Sequence, residues 1–280
     1  MIKKIFAPLE ELSNASKQVA QGDFTVQIEY KGEVEELKST IDNFNRMVNE
    51  LNSVEIMRKD FVANVSHEFK TPLSAITGYA TLLQSPQISE SEKENDIQRI
   101  IFNIEKLNDM TDNILRLSKL ERQQYMEKPK KYRLDEQIRE SIVLLEPKWS
   151  AKKQNFELEL PEIEYCGQME LLLQVWMNLI GNAIKYSDIG ADISVKMSVG
   201  THSVKVKISD NGIGMTDETI RHMFEMFYQG DTSRKSQGNG LGLALCKKIV
   251  ELCNGKIYVE SELGVGTVFI IKLPMEDLSQ

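Results

Sequence analysis

The sequence predicts a multidomain chain: an all-α helical stalk that pairs with a second copy of itself, followed by an α/β sandwich. Three observations predict this. Apolar residues step by three and four through most of the first 125 residues, the period of amphipathic helices. The pattern breaks at Glu127-Lys-Pro129-Lys-Lys131. Beyond that point, short alternating strands interleave with amphipathic helices, the pattern of one sheet covered by helices on one face.

Composition narrows the class. At 280 residues the chain is long enough for two or three units. A formal charge of -8 argues against nucleic acid as a partner. Cys166, Cys246 and Cys253 are widely spaced and odd in number, so they read as reduced thiols in a cytosolic setting. There is no run of 18 apolar residues to span a membrane, and Pro8 and Glu10 end the brief apolar start at Met1.

The elements follow in order. Residues 7–22 suggest a short helix with Leu9, Leu12, Ser16 and Val19 on one face, ended by Gly22-Asp23. Phe24 to Ile28 is an extended connector. Val34, Leu37, Ile41, Phe44, Val48 and Leu51 then form a heptad seam. Two short heptad helices do not bury their seams alone, so a homodimer with a parallel four-helix bundle is expected. The second helix runs on without a breaker to about Ser85-Pro86. Ser89-x-x-Glu92 is a capping box that starts another helix, reaching about Tyr125. The two long helices form a hairpin, again needing a second copy to complete a four-helix bundle. Past the break, helices are expected at 134–145, 168–186, 217–225 and 240–253. Strands are expected at 155–160, 192–197, 204–208, 256–260 and 267–273.

The long second helix carries Phe61-Val-Ala-Asn-Val-Ser-His67-Glu68-Phe-Lys-Thr71-Pro72-Leu73. His67 and Thr71, four apart, share a face, with Glu68 one step around. Pro72 lacks an N–H, so the carbonyl of Glu68 loses its helical partner and a bend is expected there. The histidine suits a nucleophile with Glu68 orienting the ring or taking its proton, and equally suits an ordinary solvated histidine.

Three segments of the second half suggest a nucleotide. Helix 168–186 carries Asn178, Asn182 and Lys185 beside its apolar face; an amide oxygen suits Mg²⁺ and a lysine suits phosphate. Asp210-Asn-Gly212-Ile-Gly214 follows a strand, with glycines that allow close approach to a flat ring and a carboxylate that accepts from an amine. Gly238-Asn-Gly240-Leu241-Gly242-Leu243 opens a helix whose backbone N–H groups suit phosphate. It is preceded by a polar segment, Tyr228 to Gln237, that reads as a mobile lid rather than the strand of a dinucleotide fold.

Together these segments resemble the sensor histidine kinases of two-component systems. Ser66-His67-Glu68-x-x-Thr71-Pro72 is similar to their H box, Asn178-x-x-x-Asn182-x-x-Lys185-Tyr186 to their N box and Asp210-x-Gly212-x-Gly214 to the first glycine box. Phe224-Glu-x-Phe227-Tyr228 is similar to the F box and Gly238-x-Gly240-x-Gly242 to the second glycine box. Pro8-Leu9, Gly22-Asp23-Phe24, Glu33 and Phe44-Asn45-x-Met47 resemble a HAMP signalling module.

The resemblance implies three regions: a HAMP-like module at 1–53, a dimerisation and histidine phosphotransfer hairpin at 54–127, and a GHKL-type ATP-binding domain at 128–280. It implies ATP and Mg²⁺, the metal held by Asn182, with Asn178, Lys185 and Tyr186 at the nucleotide and Asp210 reading the adenine amine. Gly212, Gly214, Gly238, Gly240, Leu241, Gly242 and Leu243 would line the site. His67 would attack the γ-phosphate, with Glu68 as base and Thr71 serving regulator dephosphorylation. The implied partner is an aspartate of a response-regulator receiver domain. Gln229 stands where many members have arginine, so Arg234 or Lys235 is expected to supply that charge; Cys253-Asn254-Gly255 replaces the commoner His-Gly-Gly. The HAMP-like segment begins without a membrane helix, so the chain reads as the cytoplasmic portion of a membrane-anchored sensor. A GHKL-type ATPase that makes no use of His67, or a non-catalytic dimeric adaptor, remains the competing expectation.

Overall fold

In the computed structural model of the protein, the structure describes residues 2–32, 34–85, 88–121, 128–230 and 239–275. Two compact units result, Met1–Thr71 and Pro72–Gln280.

In the first unit, α1 (Ile2–Ala20) is followed by an irregular connector and by α2 (Glu35–Leu82), which continues into the second unit. Ala15, Ile28, Ile41, Phe44 and Val48 form the core, flanked by Leu12, Val19, Phe24, Val26, Tyr30 and Leu37. The seam of α2 is therefore partly covered within a single chain, by α1 and the connector. Asn45 fixes the connector: its Oδ1 accepts from the Ile28 N–H at 3.0 Å and its Nδ2 donates to the Ile28 carbonyl at 2.9 Å. An otherwise unpaired extended backbone is satisfied by one side chain. Two expectations change here. The first helix begins at Ile2, so Pro8 lies inside it and not at its start. Its buried face runs through Leu12, Ala15 and Val19, while Ser16 points outward and bonds the Leu12 carbonyl at 2.7 Å.

The second unit opens with the end of α2 and with α3 (Glu90–Glu121). The capping box forms as its sequence specifies, with Ser89 N–H on Glu92 Oε2 at 2.9 Å and Glu92 N–H on Ser89 Oγ at 3.3 Å. Arg99 of α3 donates to the Tyr79 hydroxyl of α2 at 2.8 Å, and its guanidinium lies 5.3 Å from the ring centroid.

The α/β layer follows: β1 (Lys130–Arg133), α4 (Leu134–Leu144), α5 (Glu146–Ala151), β2 (Asn155–Glu159), β3 (Glu164–Gly167), α6 (Met169–Tyr186), β4 (Asp192–Val199), β5 (Ser203–Asp210), α7 (Asp217–His222), α8 (Gly242–Leu252), β6 (Lys256–Glu262) and β7 (Gly266–Pro274). The main sheet has the order β2-β4-β5-β7-β6; β2 and β4 are parallel and the other neighbours antiparallel. Its inner face buries Ile193, Val195, Val204, Val206, Ile208, Phe269, Ile271 and Leu273. These alternate with outward polar residues, as period-two strands with one covered face must. In the layer above, α6 packs between α4 and α8. The separate antiparallel pair β1–β3 and the short α5 were not among the expected elements. Among the described residues, no helix is long and apolar enough to cross a membrane.

Candidate functional site

The candidate residues fall in both units. In the first, His67 stands on α2 with 79% of its side chain exposed, and its Nδ1 lies 3.9 Å from Glu68 Oε1. That is ion-pair range but beyond a hydrogen bond. The Thr71 hydroxyl points back along the helix to the His67 carbonyl at 3.4 Å. α2 remains helical through Pro72. His67, Glu68 and Thr71 thus sit together on an open helix surface.

In the second unit the site is built around α6. Leu172, Val175, Trp176, Leu179, Ile180, Ala183 and Ile184 are buried, which fixes the rotation of the helix and leaves Asn178, Asn182 and Lys185 half-exposed. Asn178 Nδ2 donates to the Gln174 carbonyl at 3.0 Å. Its Oδ1 faces the start of α8, only 2.9 Å from where a side-chain carbon on Gly242 would lie. The Asn182 carboxamide has no hydrogen-bond partner among the described residues. Lys185 Nζ bonds the Tyr186 hydroxyl at 2.9 Å and lies 4.5 Å from its ring centroid.

A helix leaves its last carbonyls unpaired, and here each has a donor. Lys152 Nζ donates to the carbonyls of Ile184, Lys185 and Ser187 at 2.9, 2.8 and 2.9 Å. Gln154 Nε2 reaches those of Ile184 and Asp188, both at 3.1 Å. The Ile213 N–H takes the Tyr186 carbonyl at 3.2 Å. Lys152 and Gln154 therefore hold the end of α6 in place, and the loop after β5 docks directly on it. Neither residue is among the sequence-derived candidates, because a lysine that binds main-chain carbonyls 32 residues away leaves no local pattern.

That loop carries Asp210. Its Oδ1 accepts from the Gly212 N–H at 3.0 Å, and Gly212 packs so closely on Tyr186 that a side-chain carbon would lie 2.4 Å from its carbonyl oxygen. Burial pushes the Asp210 carboxyl above its ordinary value, and the backbone N–H groups of Gly212 and Thr267 oppose this. Gly214 has φ +63° and abuts the β6–β7 turn, while the Gly264 N–H bonds the Ile213 carbonyl at 2.8 Å.

The second glycine loop closes the site. The Phe227 N–H donates to the Gly240 carbonyl at 2.9 Å, and Phe227 itself holds φ +64°, a sparsely populated region for a bulky residue. Leu241 is fully buried, Leu243 is half-buried, and Gly242 begins α8. Asn178, Tyr186, Asp210, Gly212, Gly214, Gly240 and Gly242 are thus linked through direct contacts or bonded loops. Arg234, Lys235 and Gly238 lie outside the described residues, as does most of the expected lid.

Three family profiles match in succession. They are the HAMP domain over residues 1–53, the His Kinase A (phospho-acceptor) domain over 57–123 and the histidine kinase-, DNA gyrase B- and HSP90-like ATPase over 167–277. The chain belongs to the sensor histidine kinases. The heme sensor protein HssS of Staphylococcus saprophyticus is 33% identical over 271 residues, 95% of this chain and 57% of that protein. HssS of Staphylococcus aureus strain MSSA476 is 31% identical over 278 residues, 98% of this chain and 59% of that protein. The chain therefore spans less than two-thirds of these relatives. Two solved histidine kinases share the fold. ThkA in complex with the response regulator TrrA gives a TM-score of 0.66 at 24% identity, covering 89% of this chain and 70% of that one. AdeS of Acinetobacter baumannii gives 0.62 at 23%, covering 75% and 98%. The C-terminal domain of this histidine kinase is accordingly an ATP-binding domain of the gyrase- and HSP90-like class.

Close packing at Gly214 yields a test of the site's rigidity. A side-chain carbon there would lie 1.9 Å from the Glu262 carbonyl oxygen, which is backbone and must move. Gly214→Ala is expected to cost about 3 kcal/mol of stability, including about 1 kcal/mol for the left-handed backbone. The exposed Gly190, at φ +76° with nothing within 4 Å, is the control and bears only the backbone cost. Thermal unfolding of both variants checks this, and equal losses would show that the contact with Glu262 does not matter.

Proposed function

We propose that this chain is the kinase portion of a two-component sensor: it transfers the γ-phosphoryl group of ATP to His67 and then to an aspartate of a response-regulator receiver domain. The observation that carries the proposal is one chain holding both an exposed H-box histidine, inside a phospho-acceptor match, and an assembled nucleotide site. We assign residues 1–53 to the HAMP module, 54–127 to the phosphotransfer hairpin and 128–280 to the catalytic domain.

In the first step His67 Nε2 attacks the γ-phosphorus, a P–N bond forms, and the bond from phosphorus to the ADP oxygen breaks. Glu68, on the Nδ1 side of the ring, holds the imidazole and takes its proton. Asp210 accepts from the adenine amine, and the α8 N-terminus with Gly240 and Gly242 faces the phosphates. Asn182, half-exposed and without a hydrogen-bond partner among the described residues, suits Mg²⁺, which binds through few protein groups with waters and phosphates. When bound, that ion neutralises charge on the phosphates. Lys185 adds a point charge. Thr71, one turn from His67, is placed to orient a water that dephosphorylates the regulator.

Exposed apolar residues on both hairpin helices favour a homodimer, notably Ile56, Met57 and Val62 on α2 and Ile97, Ile101 and Ile104 on α3. We place the parent protein at the cell membrane, with this portion in the cytoplasm.

Incubation with Mg²⁺ and γ-labelled ATP tests the reading. Phosphate that is acid-labile, alkali-stable and confined to the peptide containing His67 is expected. A folded, ATP-binding dimer that stays unlabelled, or carries label elsewhere, overturns it.

A further inference from the structure

The outer face of the five-stranded sheet carries an arrangement that nucleotide chemistry does not use. Lys205 on β5 stands directly opposite Lys272 on β7, and Lys272 stands directly opposite Lys256 on β6. Three like charges thus lie side by side across three neighbouring strands, about 5 Å apart at Cβ, a pairing that destabilises a sheet. Lys207, two residues along from Lys205, extends the cluster toward Lys196 on β4. Lys196 shows what neutralisation on this face looks like: Glu157 and Glu159 both bind its ammonium. Lys205, Lys207, Lys256 and Lys272 are exposed, and among the described residues none has a carboxylate within 4 Å. The exposed carboxylates Asp192, Glu260 and Glu262 lie toward the other end of the strands, so the end that carries Lys205, Lys207, Lys256 and Lys272 stays basic at a cost to the fold.

We infer that this lysine-bearing end of the face is a docking surface for an anionic lipid bilayer. The side chains indicate the kind of partner. The outward positions of the five strands hold no arginine, the residue that reads carboxylate or phosphate geometry bidentately. Lysines are compact charges on flexible stems, suited to a diffuse anionic surface. Tyr258 lies 49% exposed among them, beside half-buried Ile270, and gives the face an amphipathic ring of the kind that settles at headgroup depth. Screening confines such attraction to about 8 Å at physiological salt, and Glu260, four residues along β6 from Lys256, lies roughly 13 Å from it at the strand rise, so the lysine cluster acts locally. This inference stands apart from the kinase reading and does not depend on it.

The test uses the whole chain and vesicles of phosphatidylcholine alone or with phosphatidylglycerol, followed by co-sedimentation. Binding to the anionic vesicles only is expected, and its loss at about 0.5 M salt. Each positive charge removed should weaken partitioning about fivefold. Lys272→Glu, which places a carboxylate between two lysines, should therefore weaken it about twentyfold while raising Tm. Lys148→Glu on α5 changes the net charge equally from the helical layer and should leave partitioning unchanged. If Lys272→Glu misfolds, the double change Lys205→Gln and Lys256→Gln serves instead. Equal binding to both vesicle types, unchanged partitioning in the sheet variants, or binding to polyglutamate without binding to vesicles would each overturn the proposal.

Discussion

His67→Gln is expected to reduce phosphate incorporation to background while leaving the affinity for Mg²⁺-ATP unchanged. The side chain is 79% exposed on a helix, so its replacement removes no packing, and glutamine is a good helix former. The residues of the candidate nucleotide site lie in the other compact unit. The two functions should therefore separate cleanly. Phosphate incorporation and calorimetric titration with ATP are the paired measurements. Residual acid-labile label on the variant would assign the acceptor to another residue, and lost ATP affinity would mean that the histidine has a structural role.

Asp210→Asn is expected to do the reverse: the domain stays folded, and ATP affinity falls ten- to a hundredfold, the range for losing a charge-assisted hydrogen bond in a buried site. The sign of the accompanying stability change follows from linkage. An acid whose folded pKa is raised contributes stability that is complete below its ordinary value of 3.8 and is lost as pH rises through the raised value. At neutral pH the ionised, partly desolvated carboxylate works against the nucleotide-free fold. The asparagine variant should thus match or exceed the parent in Tm at pH 7, and the difference should shrink as pH falls. In the parent, ATP affinity should decline on acidification as Asp210 takes up its proton. An Asp210→Asn protein that binds ATP like the parent would remove Asp210 from adenine recognition.

Much of this architecture was legible in the amino-acid order, and the misses have identifiable causes. The strands of the main sheet announce themselves because one face is covered and the other open, which forces alternation in stretches such as Val204-Lys-Val-Lys-Ile208. β1 and β3 are four residues each and pair across about thirty residues, so neither has enough length to show a period. Apolar spacing marks the first helix only from residue 7, since Leu9 opens its periodic face, yet the helix extends back through Pro8 to Ile2. Ser16 and Ala15 are adjacent, and spacing alone does not say which one turns inward; the buried one is Ala15. At the site, glycine spacing marked the loops at Asp210 and Gly240, because close backbone approach demands that residue type. Lys152 and Gln154 were invisible, since main-chain carbonyls accept from any donor and leave no matching partner in the sequence.

The length of α2 has a mechanical consequence. One helix of 48 residues carries Val48, fully buried in the core with α1, and His67, nineteen positions later in the same unit. No loop lies between them to absorb a turn. At about 100° per residue, the compass bearing of the histidine is geared to that of the buried seam. Any torque that repacks Ile41, Phe44 and Val48 turns His67 with it, as a crank turns with its shaft.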